Sequence, residues 1–290
     1  MEIWFLLTIL VVFLWGISQI FFKYSTVRLG VARIALLIAI VEAPLYTAAF
    51  LLWREDVDIS FWDGVLAAAS CLIGVSGFLC FFESVMDGQV AIAGTIAAAY
   101  PALTVVGAVV ILSESLAPVQ ALGVLLIIGG VVALSYEPDP TAKHAITKRS
   151  LMFAFLAFSA WGVWSLTSKV AVDAVGAGNL FGFYVISSLT APLIYVWVRR
   201  VGVPSKVKEN PTRLACAYGA VGLALNVVGA YAYTYALERG NASLVGPTSS
   251  AYPIVTVVLA LAILKEKLHK TQIFWLAGVC VGLLLVGASA

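Results

Sequence analysis

Charge is what this chain has least of. Only 11% of its 290 residues are Asp, Glu, Lys or Arg, against about 25% in a soluble globular chain, too few to clothe a water-facing surface of this size. Histidine occurs twice, at His144 and His269, in separate polar segments. The four cysteines (Cys71, Cys80, Cys216 and Cys280) all fall inside apolar stretches, with no CxxC spacing. That pattern offers neither a metal-ligand cluster nor a disulfide framework, and such thiols read as small packing residues. No aspartate lies deep in an apolar run, and there is no ATP-binding motif. A membrane-embedded enzyme would need convergent groups such as paired aspartates, a Ser-Lys dyad or histidines. The chain is therefore expected not to be an enzyme and to hold no cofactor and no metal. The net charge of +2 comes from bases scattered over short segments, so no nucleic-acid partner is expected.

What the chain has in abundance is long hydrophobic runs. Hydrophobic residues make up 62% of it, and the mean hydropathy is +1.04. Ten runs stand out, near 3–22, 31–53, 62–82, 90–112, 117–136, 150–171, 178–198, 214–236, 242–264 and 271–289. Each approaches the roughly 20 residues that cross a bilayer core of about 30 Å. Backbone in lipid must satisfy its own hydrogen bonds, and continuous apolar runs lack the alternation of barrel strands. The runs are thus predicted helices. The N-terminus, "MEIWFLLTILVV", has no basic n-region and no small-residue cleavage site, so it reads as the first of these helices and not as a signal peptide.

The stretch "AAYPALTVVGAVVILSESL" (98–116) returns as "SAYPIVTVVLALAILKEKL" (250–268). Over Gly88 to Gln120 against Gly240 to Gln272, without a gap, 14 of 33 positions are identical, among them Gly94/Gly246, Tyr100/Tyr252, Pro101/Pro253, Thr104/Thr256 and Glu114/Glu266. Spans 1 and 6 also correspond, "WGISQIFFK" (15–23) beside "WGVWSLTSK" (161–169), and spans 2 and 7 share "APL". The offset grows from 146 to 152 because the second half has longer connections. Residues 1–140 and 141–290 are therefore two five-helix repeats. An odd number of spans per repeat inserts the halves in opposite senses. The expected fold is an all-α polytopic membrane protein with ten transmembrane helices in two inverted five-helix repeats, a common build for transporters.

These residues resemble the drug/metabolite transporter superfamily, specifically its EamA-type members. The similarity rests on the "WG…K" of each first helix and on "YALERGNASLVGPTSSAYPIVTVVLALAILKEKL", and it extends over nearly the whole chain. It implies a small-molecule carrier, often an exporter of amino acids or other metabolites, with a central cavity between the halves. Small four-helix multidrug members carry a glutamate eight residues before the lysine. Here Trp15 precedes Lys23 and Trp161 precedes Lys169, so that carboxylate is absent and its cation/proton exchange is not inherited.

Candidate binding residues follow from helical spacing. Trp15, Gln19 and Lys23 step by four, as do Trp161, Ser165 and Lys169, so each trio shares one helix face. That face is read as looking into a central cavity; interface anchoring by Trp and snorkelling by Lys are the competing roles. In span 8, Gly219, Gly222, Asn226, Gly229 and Tyr233 form a stripe whose images in span 3 include Ser70, Gly74, Gly77 and Phe81. The glycines suit close helix packing. Asn226 stands where the first half has Gly74, so the halves differ in polarity there, which makes it a substrate contact candidate. Tyr100 and Tyr252 precede Pro101 and Pro253 near mid-span, where proline frees a carbonyl and bends a helix, as a fixed kink or a hinge. With Trp164, Tyr231 and Phe181 they predict an aromatic-lined cavity. Glu42 and Glu83 lie well inside apolar runs, and an intramembrane carboxylate is by default a functional candidate. With Lys23 and Lys169 they are the candidates for coupling to a proton; pairing with Arg33 or another base is the structural alternative. Glu114 and Glu266 read as helix-end residues.

The expectation is a secondary transporter of small amphipathic metabolites such as amino acids, working as an exporter by alternating access. A non-transporting receptor or scaffold is the alternative, and a membrane enzyme a more distant one. The partners expected are the small-molecule substrate, membrane lipids and a coupling proton, with the monomer as the working unit. The location expected is the plasma membrane, spanned many times.

Overall fold

The computed structural model describes residues 2–86, 96–135, 147–202, 213–259 and 270–289. Every regular element among them is helical: α1 (Ile3–Leu29), α2 (Val31–Trp53), α3 (Phe61–Met86), α4 (Tyr100–Val110), α5 (Pro118–Ser135), α6 (Lys148–Val175), α7 (Ala177–Gly202), α8 (Arg213–Arg239), α9 (Ala242–Ser249), α10 (Pro253–Leu259) and α11 (Lys270–Ala288). Eight helical segments are long and apolar enough to cross a membrane, counting α9 and α10 together as Ala242–Leu259. Two shorter apolar helices, Ile96–Val110 and Pro118–Leu134, bring the spans to ten. The fold is the expected ten-helix membrane architecture in two repeats.

Several helices outrun their apolar cores. The first does not stop near residue 22 but continues to Leu29, where Gly30 turns the chain straight into α2. Gly30 has φ +73°, its N–H closes α1 on the Thr26 carbonyl, and its own carbonyl accepts from Ile34 to start the next helix. Gly176 repeats the arrangement between α6 and α7 at φ +84°, with Val172 and Leu180 as partners. A left-handed backbone of this kind is open to glycine without strain. The two glycines are 146 positions apart, the offset of the repeat.

The halves interleave and do not sit side by side. Helix α1 packs most extensively on α8, and its repeat image α6 packs on α3. Helix α2 packs on its own image α7, and α5 on its image α11. The largest interfaces thus join one half to the other, and exchanging the halves maps each interface onto an equivalent one. Small residues permit the close approach: the Trp15 ring lies against Gly229 and the Trp161 ring against Gly77, with Trp164 on Gly74. Lipid offers no hydrophobic drive to bring helices together, so such ring-on-glycine contacts carry much of the association.

The fourth span of each half is broken at its Tyr-Pro pair. Helix α9 ends at Ser249 and α10 begins at Pro253, with Ser250 to Tyr252 forming a turn. In the first half the turn falls at Ala99, and Pro101 stands in the first turn of α4, where its missing N–H costs nothing. Tight bonds span both breaks: Ala99 N–H to Ile96 at 3.2 Å, Ala251 N–H to Thr248 at 3.2 Å and Ile254 N–H to Ala251 at 3.0 Å. The sequence predicts a bend at these prolines; the structure has an interrupted helix.

Both termini lie on one face, because the Phe5 ring packs against Gly287. Trp4 meets Gly240 and Ser25 meets Gly219, so α1 and α8 run antiparallel. The face holding the starts of α1, α3 and α7 is called the terminal face below. The opposite face holds the ends of α1, α3 and α7.

Candidate functional site

Where the two halves interleave at mid-depth they leave a partly open pocket, about 540 Å3 when the space open to solvent is included. Its centre is built by the first helix of each half. Trp15 on α1 sits 5.4 Å (ring centroids) from Tyr233 and 6.3 Å, edge-on, from Tyr252. Trp161 on α6 sits 5.4 Å from Phe81 and 6.0 Å, edge-on, from Tyr100. These are the same three positions in each repeat, so the pocket is an aromatic cage with approximate twofold symmetry. At these three positions the halves differ in one hydroxyl, Tyr233 against Phe81, and of that pair Phe81 lines the pocket.

Seven of the nine binding candidates meet at this pocket: Trp15, Gln19, Tyr100, Trp161, Trp164, Asn226 and Tyr252. The Trp15 indole N–H donates to the Asn226 carbonyl at 3.2 Å, which fixes the ring across the α1–α8 seam. The Tyr100 hydroxyl is within hydrogen-bonding reach of the Ser249 side chain in the broken span of the other half. Trp164 donates to the Tyr184 hydroxyl at 2.7 Å and stacks on Tyr233 at 5.1 Å. Ser165 and Tyr231 do not line the pocket. Ser165 is fully buried and hydrogen-bonds the Tyr233 hydroxyl at 2.5 Å, so it orients the ring that packs behind Trp15 and Trp164. Tyr231 belongs to a second aromatic cluster nearer the terminal face, with Phe181 at 5.0 Å, Trp53 at 5.6 Å and Tyr46 at 5.7 Å.

The coupling candidates separate sharply. Glu42 is buried on α2, with its carboxyl within reach of the Asn226 side chain and hence one residue behind the pocket wall. Glu83 is also buried, but Arg149 on α6 reaches it at 2.6 Å, and Arg199 and the Tyr195 hydroxyl on α7 bond its other oxygen. Both oxygens are committed, so its place is that of an anchor joining three helices at the far face, and not of a free proton carrier. Lys169 is likewise removed from the pocket: it pairs with Asp173 at 2.8 Å and donates to the Leu237 carbonyl at 2.9 Å, stapling α6 to the end of α8. The Lys23 side chain lies outside the described residues, as do Glu266, Gly94 and both histidines. Glu114 does fix a loop: it accepts from the backbone N–H groups of Ala242 and Ser243, at 2.9 and 2.8 Å, at the start of α9. A carboxylate there is favoured by the helix dipole. Among the described residues no group of three or more His, Cys, Asp or Glu side chains is placed to hold a metal.

A model of the EamA-like transporter family matches residues 2–136 and again residues 148–288. This chain belongs to the EamA-like transporter family. It is accordingly an integral, multi-pass membrane protein of the drug/metabolite transporter superfamily. A solved structure described as "Crystal structure of protein" superimposes with a TM-score of 0.76 over 99% of this chain and 97% of its own, at 19% identity, which shows a shared fold. The uncharacterized protein MJ1333.1 of Methanocaldococcus jannaschii is 36% identical over 72 residues, 25% of this chain. The chain spans about half the length of that curated relative, 53% of it.

Four residues of this EamA-like pocket escape sequence reasoning: Phe22 on α1 and Phe78, Phe81 and Phe82 on α3. A phenylalanine inside an apolar run carries no signal of its own. The repeat does hold one. At offsets of 146 and 152 their images are Ser168, Ala230, Tyr233 and Thr234, so three of the four stand where the other half has a small residue. The pocket therefore extends from the level of the two tryptophans toward the far face. Nearer the terminal face the Tyr46, Trp53, Phe181 and Tyr231 rings pack against one another.

Proposed function

We propose that the protein is a secondary carrier, acting as an exporter in the plasma membrane, that moves small amphipathic metabolites by alternating access between its halves. The cage of paired rings at the seam carries this reading. Trp15 with Tyr252 belongs to one arrangement and Trp161 with Tyr100 to its image, so a substrate held between them touches both halves. Rocking one half on the other would expose it first to one face and then to the other. The broken fourth spans contribute soft points beside the cage, since interrupted backbone at membrane depth is tolerated where it lines protein or a cavity. The described far side of the pocket is bordered by an ionic cluster and the terminal side by stacked rings, so the two gates differ in chemistry. Glu42 is the proposed proton site, because it is the buried carboxyl adjoining the pocket through Asn226. The monomer is the proposed working unit, as both halves of the cage come from one chain.

Solute counterflow in proteoliposomes tests the reading. Vesicles preloaded with unlabelled substrate should transiently accumulate labelled substrate when the purified protein is present. Absence of counterflow with any ligand that raises the protein's thermal stability would reject the carrier in favour of a receptor.

A further inference from the structure

The charge of the substrate can be read from what surrounds the pocket. Trp15, Tyr252, Trp161 and Tyr100 line it, and an aromatic ring attracts a cation to its face, the negative pole of its quadrupole. The polar lining groups include two neutral amides, Gln19 and Asn226. Behind Asn226 stands the Glu42 carboxyl, buried, with Tyr46 and Tyr231 as its titratable neighbours and Tyr184 and Cys71 beyond Tyr46. None of these groups is cationic in any protonation state.

Among the described residues, three bases of the helices around the pathway are already occupied. Arg149 and Arg199 are held on Glu83, and Lys169 is held by Asp173 and a backbone carbonyl. Among the described residues no Lys, Arg or His lines the pocket. A carboxylate or phosphate placed there would meet aromatic rings, amides and a buried acid, and would lose its hydration without a charged partner. An ammonium meets the opposite situation. The buried Glu42 carboxyl has only neutral groups beside it, Asn226, Tyr46 and Tyr231, and an organic cation supplies a charged partner while the rings receive its methylene and aryl surface.

Resting on the carrier reading above and narrowing it, we propose that the site selects organic amines with an aromatic or compact apolar body. Their ammonium lies toward Asn226, with Glu42 as counter-charge, and carboxylate-bearing analogues are rejected.

Three probes that share a phenyl ring and differ in charge decide it: phenethylamine, phenylalanine and 3-phenylpropionate. Binding is read on purified protein from quenching of the pocket tryptophans, and transport is read by counterflow. Phenethylamine should bind at least about tenfold more tightly than phenylalanine, and 3-phenylpropionate should show no saturable binding. In Glu42→Gln the amine should lose about tenfold in affinity while neutral 2-phenylethanol keeps its own; Asn226→Leu should narrow the amine preference in the same direction. Equal or tighter binding of the amino acid or the acid overturns the proposal, and so does failure of the amine to bind. Saturable amine binding without counterflow would instead overturn the carrier reading and leave the charge assignment standing. Counterflow of phenylalanine with no preference for the amine would do the reverse.

Discussion

The Thr256 hydroxyl donates to the backbone carbonyl of Gly16 at 3.0 Å, and its repeat partner Thr104 makes the same bond to Gly162 at 3.4 Å. Two pairs of residues that the repeat preserves thus meet across the seam, each threonine on a broken fourth span and each glycine on the opposing first helix. The glycine matters sterically as well. A Cβ on Gly16 would lie 2.6 Å from the Val255 side chain and 2.7 Å from the Tyr252 carbonyl. Thr256→Val keeps the shape and removes the bond, so it should cost about 0.5–1.5 kcal/mol. Gly16→Ala must shift backbone and should cost more, about 1–3 kcal/mol. Thermal unfolding in detergent should rank wild type above Thr256→Val above Gly16→Ala; a Gly16→Ala variant as stable as wild type would contradict the packing described.

The cage makes a second prediction. Trp15→Ala, Trp161→Ala and Asn226→Ala remove pocket surface, while the helices keep their apolar runs for insertion. Each should reach the membrane at wild-type level and lose about tenfold or more in substrate affinity, the usual scale for truncating a central aromatic contact of roughly 2 kcal/mol. Wild-type transport in all three at equal expression would remove the pocket from the transport path. Gly77→Ala approaches the same site from behind, since its Cβ would meet the Trp161 ring at 2.6 Å. It should impair affinity by tilting that ring although it deletes nothing.

Much of this arrangement is legible in the sequence, and what is not has physical reasons. Ten apolar runs and the 152-residue echo specify spans and halves because lipid leaves the backbone few choices. The Trp and Tyr of the cage are legible because they recur at matched positions in both halves. Phe78 and Phe82 are not, because an apolar ring looks the same facing lipid, core or pocket. The partners of Glu83 are hidden for another reason: Arg149 and Arg199 are 66 and 116 positions away, and nothing local marks them. The Tyr-Pro pairs locate the breaks, but helical spacing alone does not tell a bend from an interruption.

Glu42 and Glu83 should behave differently when neutralised. Glu42→Gln removes the acid beside the pocket and keeps its shape, so exchange should persist at substrate concentrations raised to offset the weaker binding, while uphill transport under a pH gradient is lost. Glu83→Gln leaves two guanidiniums without their shared carboxylate at a 2% exposed site. Breaking a buried pair costs about 3–5 kcal/mol, less here because the arginines are 37% and 25% exposed. It should therefore lower stability while leaving the coupling of any folded fraction intact. Thermal unfolding and gradient-driven uptake, measured on both variants, separate the roles; loss of coupling in Glu83→Gln alone would reverse them.

Orientation follows from charge and topology together. Phe5 against Gly287 puts both termini on one face, and the connections after spans 2, 4, 6 and 8 share that face. Those connections hold Arg54, Lys169 and Arg239, 3 bases in all, against 14 in the connections after spans 1, 3, 5, 7 and 9. Lys169 is tied within the helices by Asp173 and Leu237, and leaving it out with Lys23 and Arg33 still gives 12 against 2. Basic segments are retained in the cytoplasm as helices insert, so the far face should be cytoplasmic and both termini outside. Relatives of this type are more usually expected with both termini inside, so the charge count and the resemblance disagree. The N-terminal segment carries Glu2 and no base before Lys23, which lets it cross. The pocket, which extends toward the far face, would then be reached from the cytoplasm, the side from which an exporter loads. A C-terminal alkaline phosphatase fusion, active only outside the cytoplasm, should be active, and a fusion in the 203–212 connection should be silent. A silent C-terminal fusion paired with an active one at 203–212 would invert the assignment.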